Sequence, residues 1–261
     1  MLTLEEIGAL LDAAAKRPLH DALLIRRGKH KGQEGANVRQ SEQERFIRLG
    51  RERALIYKTL IYTGLRKNEL ATMTVGDVHL PSPRLRQAGL DGQQPYVALA
   101  AKNAKSARGA TITLRANLAA DLRQHLDEKL ALHRRKAIKN RHKEVPVALP
   151  ADTPLFHVPE DLVRIFDRDL AYAGIAKKDA DDRTVDVHPD VHRDHTFATL
   201  LSKAGVVPRM AQELMRHSDV RLTMNVYTHL HLADTAGAVE ALPTIASAQP
   251  ARNRPMTGTD R

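Results

Sequence analysis

His217-Ser218-Asp219-Val220-Arg221-Leu222-Thr223-Met224-Asn225-Val226-Tyr227-Thr228-His229 is the stretch on which the reading of this chain turns. It sets a histidine ten positions ahead of a tyrosine. It follows a helical pattern over residues 208–216, and residues 219–229 carry a helical pattern of their own. Two upstream blocks belong with it, Thr63-Gly64-Leu65-Arg66-Lys67-Asn68-Glu69-Leu70 and His195-Thr196-Phe197-Ala198-Thr199. Taken singly, each residue has an ordinary explanation. A lone tyrosine is a half-buried anchor, a histidine at a helix C-terminus favours the dipole, and an arginine at a helix start is exposed. The three blocks together ask for a shared purpose.

Arg66 follows a Thr-Gly pair that ends one helix, and it opens the next. A helix N-terminus offers unpaired N–H groups and partial positive charge, both suited to phosphate. Arginine adds a planar fork that grips two phosphate oxygens and stays protonated. Glu69, one turn on, is placed to orient neighbouring groups.

Bulk properties agree. The 261 residues suffice for one large domain or two small ones. With five Tyr, four Phe and no Trp, aliphatic side chains must fill the core. Forty-one Lys and Arg against 31 Asp and Glu leave a net charge of +10, which favours a polyanionic partner. The absence of cysteine excludes disulfides, thiolate zinc sites and a cysteine nucleophile. No apolar run approaches the ~20 residues of a membrane span. The start, Met1-Leu2-Thr3-Leu4-Glu5-Glu6, is acidic and unlike a signal peptide, so a cytoplasmic protein is expected.

The periodicities predict a mainly helical α+β fold. Thr3 and Glu6 form a capping-box pattern ahead of Leu4, Ile7, Leu10, Leu11 and Ala14, which share a face. Residues 27–43 are polar and glycine-rich and read as a mobile loop. A long helix is expected from Glu44 to Tyr62, stopping at Gly64. Tyr96–Ala100 and Ala110–Leu114 flank a basic turn and predict a β-hairpin. Further helices are expected at 115–133, 160–173, 194–204, 208–216, 219–229 and 233–241. The polar end, residues 246–261, is expected to be a disordered tail.

The three blocks, in this order, closely resemble the tyrosine recombinase (phage integrase) family, which cuts and rejoins DNA through a covalent phosphotyrosine. The resemblance covers residues 3 to about 241 and implies the family's C-terminal catalytic domain over 1–245, with a small antiparallel sheet. The family's helical N-terminal core-binding domain has no counterpart, which suggests a fragment or reliance on another protein for that grip. By this resemblance Arg66 and His217 contact the scissile phosphate and Tyr227 is the nucleophile. Lys102, just after the first hairpin strand, matches the lysine that protonates the leaving 5′ oxygen. Lys105 and Arg108 on the same turn, and His195, are implied DNA contacts. No metal or cofactor is required. Double-stranded DNA and further recombinase protomers, a tetramer on DNA and a monomer alone, are the implied partners, in a bacterial or phage-derived setting associated with the nucleoid.

One block departs from the pattern. The family has His-x-x-Arg-His-Thr-Phe; anchored on His195-Thr196-Phe197, the arginine position holds Asp194 and the histidine position Val191. Arginine stands one residue early, as Arg193, and His188 follows the usual lead-in with extra residues behind it. His188 and Arg193 are carried over on this basis, with His192 as a second candidate for the histidine role. On a helix a one-residue slip turns a side chain by ~100°, and a carboxylate at the phosphate site repels substrate. If residues 189–194 precede the helix, with Asp194 as N-cap, the loop aims Arg193 inward. Beside an active recombinase stand two alternatives: a catalytically impaired DNA-binding protein on the same fold, and a type IB topoisomerase, which shares the chemistry.

Overall fold

The computed structural model describes residues 2–81, 94–104, 107–141, 144–176 and 189–227, with the backbone alone at 189–195 and 225–227. All of these belong to one compact unit, Met1–Tyr227. The expected helix at 233–241, the boundary at 245 and the tail lie outside the described residues.

Helix α1 (Leu4–Leu23) starts on the predicted capping box. The Glu6 backbone N–H donates to Thr3 Oγ1 at 3.1 Å, and the Thr3 backbone N–H donates to Glu6 Oε2 at 2.7 Å. Ile7, Leu10 and Ala14 are buried as the periodicity requires. Leu4 is not: as the first residue of the helix it overhangs the core and is 65% exposed.

Helix α2 (Gln40–Thr63) begins four residues ahead of the expected Glu44 and ends at Gly64, whose φ of 62° places it in the left-handed region. The connection from α1 is pinned by backbone hydrogen bonds: Ile25 N–H to Gln33 O, and both Gly35 and Ala36 N–H to Leu23 O. The two helices cross in backbone contact. A Cβ on Gly50 would lie 1.9 Å from Ala15 O, so only glycine permits this approach.

Helix α3 (Lys67–Ala71) leads through a 3-10 turn into strand β1 (Val78–His79). The predicted hairpin is present as β2 (Tyr96–Leu99) and β3 (Ala110–Thr113), antiparallel with Val97 opposite Ile112. Strand β1, too short to show a period in the sequence, adds to the β2 edge and makes the order β1-β2-β3. Val97, Leu99 and Ile112 face inward and are buried.

Helix α4 (Ala116–Lys139) outruns its predicted end, and α5 (Leu162–Tyr172) falls where expected. Three helices close the described chain: α6 (Pro189–Lys203), α7 (Pro208–Met215) and α8 (Val220–Tyr227). The core joins Leu10, Ile56, Leu60, Leu70, Leu118, Leu122, Phe166 and Leu170, from helices on both sides of the sheet in sequence, with Phe156 from the segment ahead of α5. At its edge Asp169 of α5, fully buried, accepts from Arg17 Nε at 2.6 Å, Tyr57 OH at 2.7 Å and Arg53 Nη1 at 3.4 Å, which ties α1, α2 and α5 together. Among the described residues no helix is long and apolar enough to cross a membrane.

Candidate active site

The site is built first on the end of α2. Gly64 caps that helix, its N–H reaching Leu60 O at 3.2 Å, and the chain turns at once into α3. Leu65 and Leu70, both fully buried, anchor the turn on either side. That leaves Arg66 as the N-cap of α3, with its side chain 35% exposed. Glu69, buried at 2%, reaches back to it twice: Oε2 accepts from the Arg66 backbone N–H at 2.8 Å, and Oε1 from Arg66 Nη1 at 3.1 Å. The expectation that Glu69 orients its neighbours is thus met by geometry.

The block ending in Tyr227 meets the same carboxylate. Beyond α7 the chain turns at Arg216, whose φ is 59°. Arg216 Nη2 donates to Gly64 O at 2.8 Å and to Glu69 Oε2 at 2.9 Å. The next residue, His217, is half-buried. Its N–H donates to Gln212 O at 3.1 Å, and Gln212 Nε2 donates to His217 O at 3.1 Å. Its Nδ1 lies 3.0 Å from the hydroxyl of Thr223, a fully buried residue of α8. A ring nitrogen engaged in this way fixes the imidazole plane.

Helix α6 brings the middle block to the same corner. Phe197 packs on Gly64, where an added Cβ would stand 3.1 Å from Phe197 Cδ1, while Thr196 and Ala198 are buried. The helix runs unbroken from Pro189, so Arg193, Asp194 and His195 are consecutive helical residues. Asp194 is therefore not an N-cap, which corrects the loop alternative. Proline at a first helical position is preset for that role and is the signal that marks the earlier start. His188 lies outside the described residues, as do the side chains of Arg193 and His195.

Of the hairpin cations, Lys102 sits in the short 3-10 turn after β2 and Arg108 just before β3, both exposed. Lys105 lies outside the described residues. Tyr227 is the last residue of α8, and its side chain too lies outside them.

Electrostatically, Glu69 dominates the described part of the site. Burial, the largest influence, pushes its carboxyl upward, but the Arg66 N–H and the Arg216 and Arg66 guanidiniums outweigh this and hold it below the ordinary value. It stays ionised at neutral pH and keeps both guanidiniums in place. Two residues of this arrangement escaped the sequence reading, Arg216 and Thr223. Arg216 had one available signal, a charged residue where a helix end commonly takes glycine.

Comparison with known proteins matches this description. The phage integrase family profile matches residues 38–233. The tyrosine recombinase XerA of Saccharolobus solfataricus is 29% identical over 180 residues, 69% of this chain and 46% of the relative. A XerC-like tyrosine recombinase of Caldanaerobacter subterraneus subsp. tengcongensis is 42% identical over 48 residues, 18% of this chain and 12% of the relative. The chain thus spans less than half the length of either. Among solved structures, XerA recombinase superposes with a TM-score of 0.52 at 19% identity, covering 94% of this chain and 64% of that one. XerH site-specific recombinase bound to a palindromic difH substrate, a post-cleavage complex, gives 0.51 at 18% identity, covering 92% and 52%. The fold is that of tyrosine recombinase catalytic domains, and with three quarters of its length inside the family profile the chain belongs to the phage integrase family.

Proposed function

We propose that this chain is the catalytic domain, over residues 1–245, of a site-specific DNA recombinase. Its partners are double-stranded DNA and further protomers of its own kind. The observation that carries the reading is the meeting of all three blocks at one corner: Phe197 on Gly64, and Arg66 and Arg216 on the two oxygens of Glu69. Convergence of residues far apart in sequence on one cationic corner is what phosphoryl transfer needs, since its catalysis is mostly positioning and charge stabilisation.

In the reaction, the Tyr227 hydroxyl gives its proton to a histidine of the site, His188 or His217, and attacks phosphorus in the DNA backbone as the phosphodiester bond to the 5′ oxygen breaks. The products are a 3′-phosphotyrosyl linkage and a 5′ hydroxyl, whose proton comes from Lys102. Attack by a 5′ hydroxyl of a second strand reverses the chemistry and rejoins the backbone. Arg66 neutralises the non-bridging oxygens, with His217, Arg193 and His188 beside it. A tyrosine hydroxyl, with an ordinary pKa near ~10, needs this cationic surround to react at neutral pH. Exposed Lys102 and Arg108 on the hairpin, with Lys105 and His195, hold the duplex by its phosphates.

Impaired activity is the second reading, favoured by the continuous helix α6. Arg193 and Asp194 are successive residues of it, and Asp194 occupies the position at which the family pattern has arginine. A nicked DNA substrate that traps the covalent intermediate tests both readings on a denaturing gel. An adduct in the parent that vanishes in Tyr227→Phe, with DNA binding nearly unchanged, supports the assignment. An adduct that survives and maps to Tyr62 or Tyr172 sinks it.

A further inference from the structure

We infer that Arg216 is a positioning residue of this site, clamping the Glu69 carboxylate so that the Arg66 fork and the His217 turn share one frame. The inference rests on the reading of Arg66 and His217 as phosphate contacts. It begins with backbone conformation. Helices α2, α5 and α6 are followed by left-handed residues that are glycines, Gly64, Gly174 and Gly205. The end of α7 takes the same conformation at an arginine, φ 59°. L side chains resist this region, and glycine adopts it freely. Arg141, after α4, is also left-handed, but it is exposed to solvent, whereas the Arg216 side chain is only 16% exposed.

Nor does the burial favour folding on its own account. Arg216 Nε is buried without a hydrogen-bond partner, and an unsatisfied buried donor is unfavourable. Glycine at this position would remove both penalties. What arginine supplies instead is Nη2, shared between Gly64 O and Glu69 Oε2. One nitrogen thus links the turn that carries His217 to the cap of α2 and to the acid that holds Arg66. Strain kept beside a site points to a role there. Arg216 reaches Arg66 through Glu69, so its effect falls on the geometry of the fork rather than on the reacting atoms.

Arg216→Gly tests this, because glycine preserves the turn and deletes only the clamp. Three measurements on the full chain are needed: DNA affinity, the single-turnover rate of adduct formation on the nicked substrate, and the Nε–H resonance of Arg66 by NMR. Arg216→Gly is expected to bind DNA within about twofold of the parent while adduct formation falls roughly 10- to 100-fold, the size of effect a small misplacement produces. Its Arg66 resonance should lose its distinct position and exchange faster with solvent. Arg216→Lys, which keeps the charge but not the fork, should fall between parent and glycine variant in both readouts. An unchanged Arg66 resonance in Arg216→Gly overturns the inference, as does an unchanged adduct rate. If the parent itself forms no adduct, the recombinase reading fails, and the Arg66 resonance alone then decides whether Arg216 positions it. If Arg216→Gly does not fold, the Lys variant decides by the same criterion: a displaced resonance supports the clamp and an unmoved one refutes it.

Discussion

Asp169 and Glu69 are buried carboxylates that each hold two arginines, and they are used in opposite ways. Asp169 binds Arg17, Arg53 and the Tyr57 hydroxyl where all four groups are buried. Burial, followed by the adjacent Asp169 charge, pushes the Tyr57 hydroxyl upward, so it remains a neutral donor. Glu69 binds Arg66 and Arg216 at a corner where the acid is buried but the Arg66 side chain is 35% exposed. In the first cluster Arg17 also donates to Asp21, so two carboxylates balance two guanidiniums, and the buried groups join three helices. In the second, one guanidinium is held from behind by the acid and turned partly toward solvent. The same pairing acts as a rivet when every donor faces inward and as a mount when one is left facing out.

The sharpest way to break this comparison is to remove one charged member of each cluster. Asp169→Asn leaves Arg17 and Arg53 buried beside a neutral group and should destabilise the fold by about 3–5 kcal/mol, read as a lowered urea midpoint. A loss under ~1 kcal/mol, the scale of an exposed pair, would show that the cluster is no rivet. Arg66→Ala should do the reverse: a thermal midpoint within a few degrees of the parent, and adduct formation slower by roughly 10²–10³, as for loss of one preorganised donor. Equal losses of stability in the two variants would erase the distinction.

The helical register of the middle block supplies the next test. Replacing residues 189–194 with a two-residue spacer and an arginine ahead of His195 restores His-x-x-Arg-His, and adduct formation should rise. The rival outcome is that Arg193→Ala abolishes adduct formation in the parent while the repair gains nothing.

A smaller effect concerns pH. Glu69 is held below its ordinary value of 4.5 in the folded chain. Its stabilising contribution is therefore complete above the unfolded value and is lost as pH falls through the folded one. Comparing the parent with Glu69→Gln, the stability difference should be constant near neutrality and shrink only on acidification below about 4.3. A difference that already declines between pH 7 and 5 would mean the carboxyl is raised instead.

Much of this was legible in one dimension because the signals were local. The capping box of Thr3 and Glu6, the glycine stop at Gly64 and the alternation in β2 and β3 each depend on residues within a few positions of one another. Strand β1 was invisible: two residues carry no period, and it exists only because the β2 edge offers it hydrogen bonds. Helix α6 starts five residues ahead of the expected 194, at Pro189, a residue that already has the dihedral a first turn needs.

By itself the sequence determined the family and the helical character, and singled out Arg66, His217 and Tyr227 for the proposed site, because blocks of fixed order and spacing carry that information without coordinates. Tertiary structure alone decided that Glu69 is shared by Arg66 and Arg216, and that Phe197 seats on Gly64. It also decided that Asp169, unremarked in the sequence, is a buried hub. These are contacts between residues up to 152 positions apart, formed only when helices pack. A charged side chain reads as solvent-exposed until packing supplies the partner that makes its burial tolerable.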